Sequence, residues 1–291
     1  MTEELCLLTV HAHPDDESSK GASTVAMYHG EGVRCVLVCC TGGEEGDILN
    51  PAMDNPEVQA CLPEVRAEEL ARAAEVIGYD EVVMLGYRDS GMPGTPANER
   101  PEAFARAPMD EATGRLVAIV RRAKPQVMVI YPEQQSMYPH PDHIRAHEVG
   151  LAAFLAAGDP ATFPEAGPPW QPLKLYYMLW SKKRMVALAE KFKELGMELP
   201  WGEERLEMMA NAPQEEVTTE LDVAPWAHVR DDALRAHATQ VDPTSVFWFG
   251  LPPEVAAELG HYDEYHLAFN HSGSEPPEDD LYAGIRERAA L

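Results

Sequence analysis

The chain has 291 residues, 45% of them hydrophobic and 8% aromatic, enough apolar material for a sizeable core, and this excludes disorder as the default state. Its 49 acidic residues against 23 Lys and Arg give a formal net charge of -26, a field that repels phosphate backbones and anionic membrane surfaces and argues against nucleic acid or membrane as partner.

In chain order, "MTEELCLLTV" sets two acids before a short apolar run, the wrong order for a signal peptide. No stretch reaches the apolar length of a membrane span, so the expected location is cytoplasmic. "LCLLTV" reads as a buried strand, followed by a helix in "SKGASTVAMYHGEG" that closes on Gly30 or Gly32. A second strand is expected in "VRCVLVCC", a helix from Pro63 to Gly78, a third strand in "EVVMLG", a helix in "MDEATGRLVAIVRRAK" and a strand in "QVMVIY". Strands alternating with helices of this length imply right-handed βαβ units and a mainly parallel sheet, an α/β fold. From about Gly158 the Pro- and Gly-rich "GDPATFPEAGPPWQP" marks a boundary. The expected division is a Rossmann-like catalytic domain over residues 1–165 and a smaller α+β region over 166–291 that completes the cleft. In that second part "LKLYYMLW" reads as a strand, "SKKRMVALAEKFKELG" as a helix, "DDALRAHATQ" as helix-like, and the remainder as a polar tail. The five cysteines lack CxxC spacing and read as reduced core residues. Nothing in the sequence sets an oligomeric state.

In an open parallel sheet, ligands collect beyond the carboxyl ends of the strands. Two such ends carry unusual chemistry. "HAHPDDE" leaves the first strand with His13 and Asp16 three apart across a proline-started turn, a spacing that can aim an imidazole nitrogen and a carboxylate oxygen at one ion; His11 alternates with the strand and reads as structural. "MYPHPDHIRAHE" leaves the strand "QVMVIY" with His140 and His143 three apart, and His143 and His147 four apart on one helical face. Spacing alone permits several metal sets. Mixed His and carboxylate ligands favour zinc over the oxygen-loving calcium and magnesium, and three protein ligands with an open position define a catalytic site. Asp15, beside Asp16, is the candidate general base. "CTGGEEGD" lacks the GxGxxG order and carries acids where a phosphate would lie, which argues against a dinucleotide enzyme.

"AHPDDE" (Ala12–Glu17) with a downstream "HPDH" (His140–His143) resembles the PIG-L/LmbE family of zinc-dependent N-deacetylases and amidases, which act on glucosamine-containing substrates and share a Rossmann-like fold. The resemblance extends through "TGGEEGDILNPAMD", "RDSGMPG", "KLYY" and "RDDALRAHATQVDP" and is stronger to the family's amidase branch than to its deacetylases. It implies zinc ligands His13, Asp16 and His143, with iron(II) as an alternative ion, and Asp15 as base. His140, oriented by Asp142, would then steady the oxyanion or protonate the leaving amine, with Tyr138 adding a hydrogen bond. Arg66 and Asp89 would grip sugar or inositol hydroxyls; Lys20 and His237 would border the cleft. The implied substrate is a small glucosamine-containing thiol conjugate. Removal of acetate from an amino sugar is the alternative, and a non-catalytic sugar- or metal-binding protein the alternative of another class. One departure stands out: where relatives carry an acidic residue, asparagine and two glycines, this chain has Pro132, Gln134, Gln135 and Ser136, a stiffer and bulkier loop beside the metal.

Overall fold

A computed structural model describes residues 4–135 and 138–286. Ser136, part of the altered loop, lies outside the described residues. Seven strands join in one sheet: β1 (Cys6–His11), β2 (Arg34–Thr41), β3 (Glu81–Tyr87), β4 (Val127–Ile130), β5 (Lys174–Leu179), β6 (Thr219–Asp222) and β7 (Tyr262–Asn270), in the spatial order β3-β2-β1-β4-β5-β7-β6. The first five run parallel, and β7 lies antiparallel to both β5 and β6. The helices are α1 (Asp16–Ser19), α2 (Ala22–Gly30), α3 (Pro56–Ala60), α4 (Leu62–Ile77), α5 (Met109–Ala123), α6 (Pro141–Ala156), α7 (Lys182–Glu194), α8 (Glu203–Asn211), α9 (Ala227–Ala236), α10 (Val246–Phe249) and α11 (Pro253–Glu258). No described helix is long and apolar enough to cross a membrane.

The apolar strands are buried on both faces because alternate residues meet different helices. Leu7, Cys35, Val127, Val129 and Tyr176 pack with residues of α2, α4 and α9. Leu8, Val10, Val36, Val38, Met128 and Ile130 point the other way, into α5 and α6. Each fully buried Leu, Ile or Val contributes roughly 1.5–3 kcal/mol, so these central strands form the rigid base of everything at their ends. Four of the five cysteines, Cys6, Cys35, Cys39 and Cys40, are free thiols in this core, as expected, and Cys61 is exposed.

Residues beyond 166 supply β5, β7 and β6, which extend the sheet laid down by β1 to β4, while α9 covers the face already used by α2 and α4. The segment read from sequence as a polar tail therefore holds a nine-residue strand, β7. Its acids are tied to partners in other elements: Glu264 accepts from Ser181 N–H at 3.1 Å and Ser181 Oγ at 2.6 Å, and Asp263 accepts from Thr24 N–H and Oγ1 near the start of α2.

The C-terminal segment is fastened by a buried ion pair. Lys174 Nζ, fully buried in β5, donates to Glu278 Oε1 at 2.7 Å, and Tyr176 OH donates to Glu278 Oε2 at 2.5 Å. Removing one member leaves the other charge without compensation. Glu278→Ala is expected to lower unfolding free energy by about 3–5 kcal/mol, seen as a lower denaturant midpoint; an unchanged midpoint would show the pair to be dispensable.

Candidate active site

The strand order places β1 and β4 side by side with their onward connections going to opposite sides, which opens a crevice at their carboxyl ends. The two histidine- and acid-rich motifs leave those two ends. After β1 the chain turns through Ala12–Asp15 into α1; after β4 it runs through a loop to His140, the N-cap of α6, with Pro141 at the first helical position. His143 therefore sits in the first turn of α6.

His13 Nδ1 and His143 Nε2 each lie 3.3 Å from Asp16 Oδ2, and one ligand atom from each of the three falls within 4.8 Å of the others. The network prepares these atoms for a cation. His13 Nε2 faces Asp142 Oδ2 at 3.2 Å; against the cost of burial, the carboxylates of Asp142, Asp16 and Asp89 raise the proton affinity of the ring, so a cation at Nδ1 would take the place of a proton there while Asp142 holds the one on Nε2. Asp142 is held in turn by Ser90 N–H at 2.9 Å and by Ser90 Oγ. Burial pushes the His143 imidazole down to about 4, against the pull of Asp16, so the ring is neutral and able to ligate. Despite the cost of burial, Lys20 and the two imidazoles hold the Asp16 carboxyl well below the usual carboxylate range. Lys20 Nζ donates to Asp16 Oδ1 at 2.5 Å, and Tyr131 OH donates to Asp16 Oδ2 at 2.7 Å while accepting from Ala12 N–H. Around the triad the carboxylates of Asp15, Asp16, Asp89 and Asp142 face, among the described residues, two fixed cations, Lys20 and Arg66. That surplus of negative charge, with two nitrogen donors and one oxygen converging, fits a divalent metal ion.

Asp15 stands off the triad. Its backbone has φ 106°, a left-handed conformation that costs an L-residue about 1–3 kcal/mol and persists only where neighbours enforce it. Those neighbours are visible. Asp15 N–H donates to Glu17 Oε2 at 2.9 Å, and Arg66 Nη2 donates to Asp15 Oδ2 at 3.1 Å. Burial raises the Asp15 carboxyl to about 6, with Arg66 pulling in the opposite direction.

His140 is buried, and its Nδ1 accepts from the main-chain N–H of Asp142 at 3.2 Å. An N–H donor at Nδ1 leaves Nε2 as the proton-bearing atom of the neutral ring, and burial together with the nearby His13 lowers its affinity for a second proton. Its ring stands edge-on to His13 with centroids 4.6 Å apart. The orienting contact expected from Asp142 is made by its backbone, while its carboxylate is committed to His13 and Ser90. Tyr138 is partly exposed at the mouth, its ring stacked 6.0 Å from His140.

Three expected substrate contacts resolve differently. Arg66 is buried and directs its guanidinium to the chain itself, donating to Gly43 O, to Pro14 O at 2.6 Å and to Asp15; it clamps two loops, and its Nε is buried without a partner. Gly43, at φ 68°, has no Cβ because one would fall 2.3 Å from the Arg66 guanidinium. His237, expected at the cleft, has no exposed surface, and its Nε2 lies 2.6 Å from the equally buried Glu17 Oε1. Lys20 acts on Asp16. Asp89 does reach the site, with Oδ1 3.5 Å from His13 Nε2, and it also accepts from Gly91 and Glu45 N–H. His147 turns away, its Nδ1 2.9 Å from Tyr131 O. Sequence reasoning missed Glu17, Ser90 and Tyr131, although "DDE" and "RDSG" contained the first two.

Known proteins resemble this chain along most of its length. Residues 8–154 match the family model PIG-L, described as GlcNAc-PI de-N-acetylase. The chain is 43% identical over 297 residues to mycothiol S-conjugate amidase from Streptomyces coelicolor, covering 99% of this chain and 100% of that one. It is 41% identical over 290 residues to a 1D-myo-inositol 2-acetamido-2-deoxy-alpha-D-glucopyranoside deacetylase from Streptomyces avermitilis, covering 96% and 97%. Among solved structures it resembles N,N'-diacetylchitobiose deacetylase from Pyrococcus horikoshii, with a TM-score of 0.62 at 16% identity, covering 90% and 83%.

Proposed function

The chain belongs to the PIG-L family, and from that membership we propose that it is a zinc-dependent amide hydrolase which cleaves mycothiol S-conjugates to an S-conjugated N-acetylcysteine and glucosaminyl inositol. The observation that carries hydrolysis is a three-donor cluster, His13, Asp16 and His143, with a spare carboxylate, Asp15, held beside it. A purely metal-storing or sugar-binding site would have no use for that carboxylate in a strained, half-buried position. Zinc suits two imidazoles and a carboxylate, and iron(II) is the alternative ion for the same set.

When bound, the metal supplies Lewis acidity, lowering the pKa of water and polarising the amide carbonyl. Asp15 takes the proton from the attacking water, aimed by the hydrogen bond from Arg66 and by its own fixed backbone. His140 offers Nε2–H to the carbonyl oxygen as negative charge gathers there, and Tyr138 at the mouth adds a second donor. The departing glucosamine nitrogen needs a proton as the C–N bond breaks. Asp15, having just received one, returns it, and His140, whose Nδ1 is occupied by the Asp142 N–H, serves as hydrogen-bond donor through Nε2. Water is thus divided between an acyl carboxylate and a free amine.

A deacetylase performs the same chemistry on a smaller acyl group, and the 41% identity to the inositol acetamido-glucopyranoside deacetylase favours that second reading. Specificity constants for a thiol conjugate of mycothiol and for N-acetylglucosaminyl inositol decide between them. The amidase reading expects the conjugate to be preferred by at least about tenfold, a 1.4 kcal/mol difference in transition-state binding. Preference for the acetylated amino sugar would replace it with the deacetylase.

A further inference from the structure

The crevice has two unlike shoulders. Beyond β2 and β3 lies a cavity of about 570 Å³ whose lining mixes five charged side chains, Glu44, Arg88, Glu102, Glu111 and Arg115, with apolar ones such as Met84 and Tyr87. It joins the metal cluster through Glu44, which accepts from Asp89 N–H at 2.9 Å. Beyond β5, on the opposite side of the cluster, the side chains are aromatic. Trp180 leaves the carboxyl end of β5 with 38% of its surface exposed, and Phe247 on α10 is 41% exposed. Between them Trp248 stands edge-on to both, with centroids 6.4 Å from Trp180 at 86° and 4.5 Å from Phe247 at 89°. Rings set at right angles form a corner that offers faces and edges at once, the arrangement an incoming aromatic group meets most favourably. The corner is fixed from behind by Arg230, whose guanidinium lies 5.4 Å from the Trp248 ring.

This wall stands at the same end of the sheet as the catalytic crevice. Thr9 pairs with Val129 and Ile130 with Tyr177, so the carboxyl ends of β1 and β5 lie two strand spacings apart, about 10 Å, and Trp180 leaves the second of those ends. Side-chain ties run the same path. Gln135 Nε2 donates to His143 O, Gln134 N–H donates to Glu215 Oε1, and Gln214 Nε2 donates to Trp180 O. Gln134 and Gln135 belong to the loop that departs from the family pattern, so the altered residues link the metal motif to the aromatic wall.

We propose that Trp180, Phe247 and Trp248 form the subsite for the apolar substituent on sulfur of the thiol conjugate, and that the sugar and inositol lie in the cavity across the metal, whose carboxylates and guanidinium groups can pair with hydroxyls. The proposal rests on the amidase reading, since a substrate with a polar head and an apolar thioether must cross the crevice in one sense, and the charged side chains stand on one shoulder and the exposed aromatic rings on the other. Burying a benzyl group against these rings removes apolar surface from water, whereas a methyl group cannot reach them.

The test uses the full chain and two probes that resemble the acyl product, S-benzyl-N-acetylcysteine and S-methyl-N-acetylcysteine, with dissociation constants measured by calorimetry. The benzyl thioether should bind at least about tenfold tighter. That ratio should fall to within about threefold in Trp180→Ala and in Phe247→Ala, and stay high in Trp180→Phe, whose circular dichroism also reports folding. Equal binding of both probes by the unaltered protein overturns the proposal, as does a preference that survives both alanine variants. So does a wall shown by sedimentation to be covered by a second copy of the chain. Failure of the amidase reading would show separately, as absent hydrolysis of mycothiol conjugates, and the binding ratio would still decide the subsite.

Discussion

Asp15→Asn is expected to lower kcat by about 10²–10⁴-fold, the usual contribution of a positioned base, while the protein keeps its bound metal. Asparagine has the same shape, and Asp15 is outside the cluster of His13, Asp16 and His143, so elemental analysis and turnover should separate. Loss of metal along with activity would make Asp15 a ligand; retained activity would remove it from the mechanism. The pH profile adds an independent reading. A base works when ionised, and burial raises the Asp15 carboxyl to about 6, a value that a neighbouring dication draws downward. Activity should therefore fall as pH drops through 6 or somewhat below, and that acid limb should vanish in Asp15→Asn.

Removing the metal should have the larger effect. Treatment with a chelator is expected to abolish turnover, and zinc or iron(II) to restore it; His143→Ala should not be restored by the same concentration of ion. Loss of a supporting residue around a metal typically costs 10–100-fold in affinity or activity, and deleting one of three donors should exceed this. The metal-free protein should also melt at a lower temperature, because an ion that binds only the folded chain stabilises it by mass action. Full activity with no metal detectable would end the hydrolase mechanism given above.

The parallel half of the sheet was legible because its signals are local. "LCLLTV", "VRCVLVCC" and "QVMVIY" are continuous apolar runs bounded by helix caps, and each became a buried strand. A candidate metal site was legible for the same reason, since two compact His- and acid-rich motifs leave adjacent strand ends, although spacing left the ligand set open. What escaped depends on contacts distant in sequence. β7 carries Asp263, Glu264 and His266 within nine residues and alternates poorly, and it becomes a strand because Ser181 and Thr24 satisfy its acids. Arg66 looked like a residue for substrate, since sequence cannot show that the carbonyls of Pro14 and Gly43 converge on its guanidinium. His237 looked like a cleft residue for a similar reason; its partner, Glu17, stands 220 residues earlier.

The bent backbone at Asp15 ties the candidate base to a distant part of the chain. Glu17 receives the Asp15 N–H with one carboxylate oxygen and meets His237, 220 residues further on, with the other. A fragment ending soon after His143 would thus own all three metal donors and still lack the partner that steadies its proton acceptor.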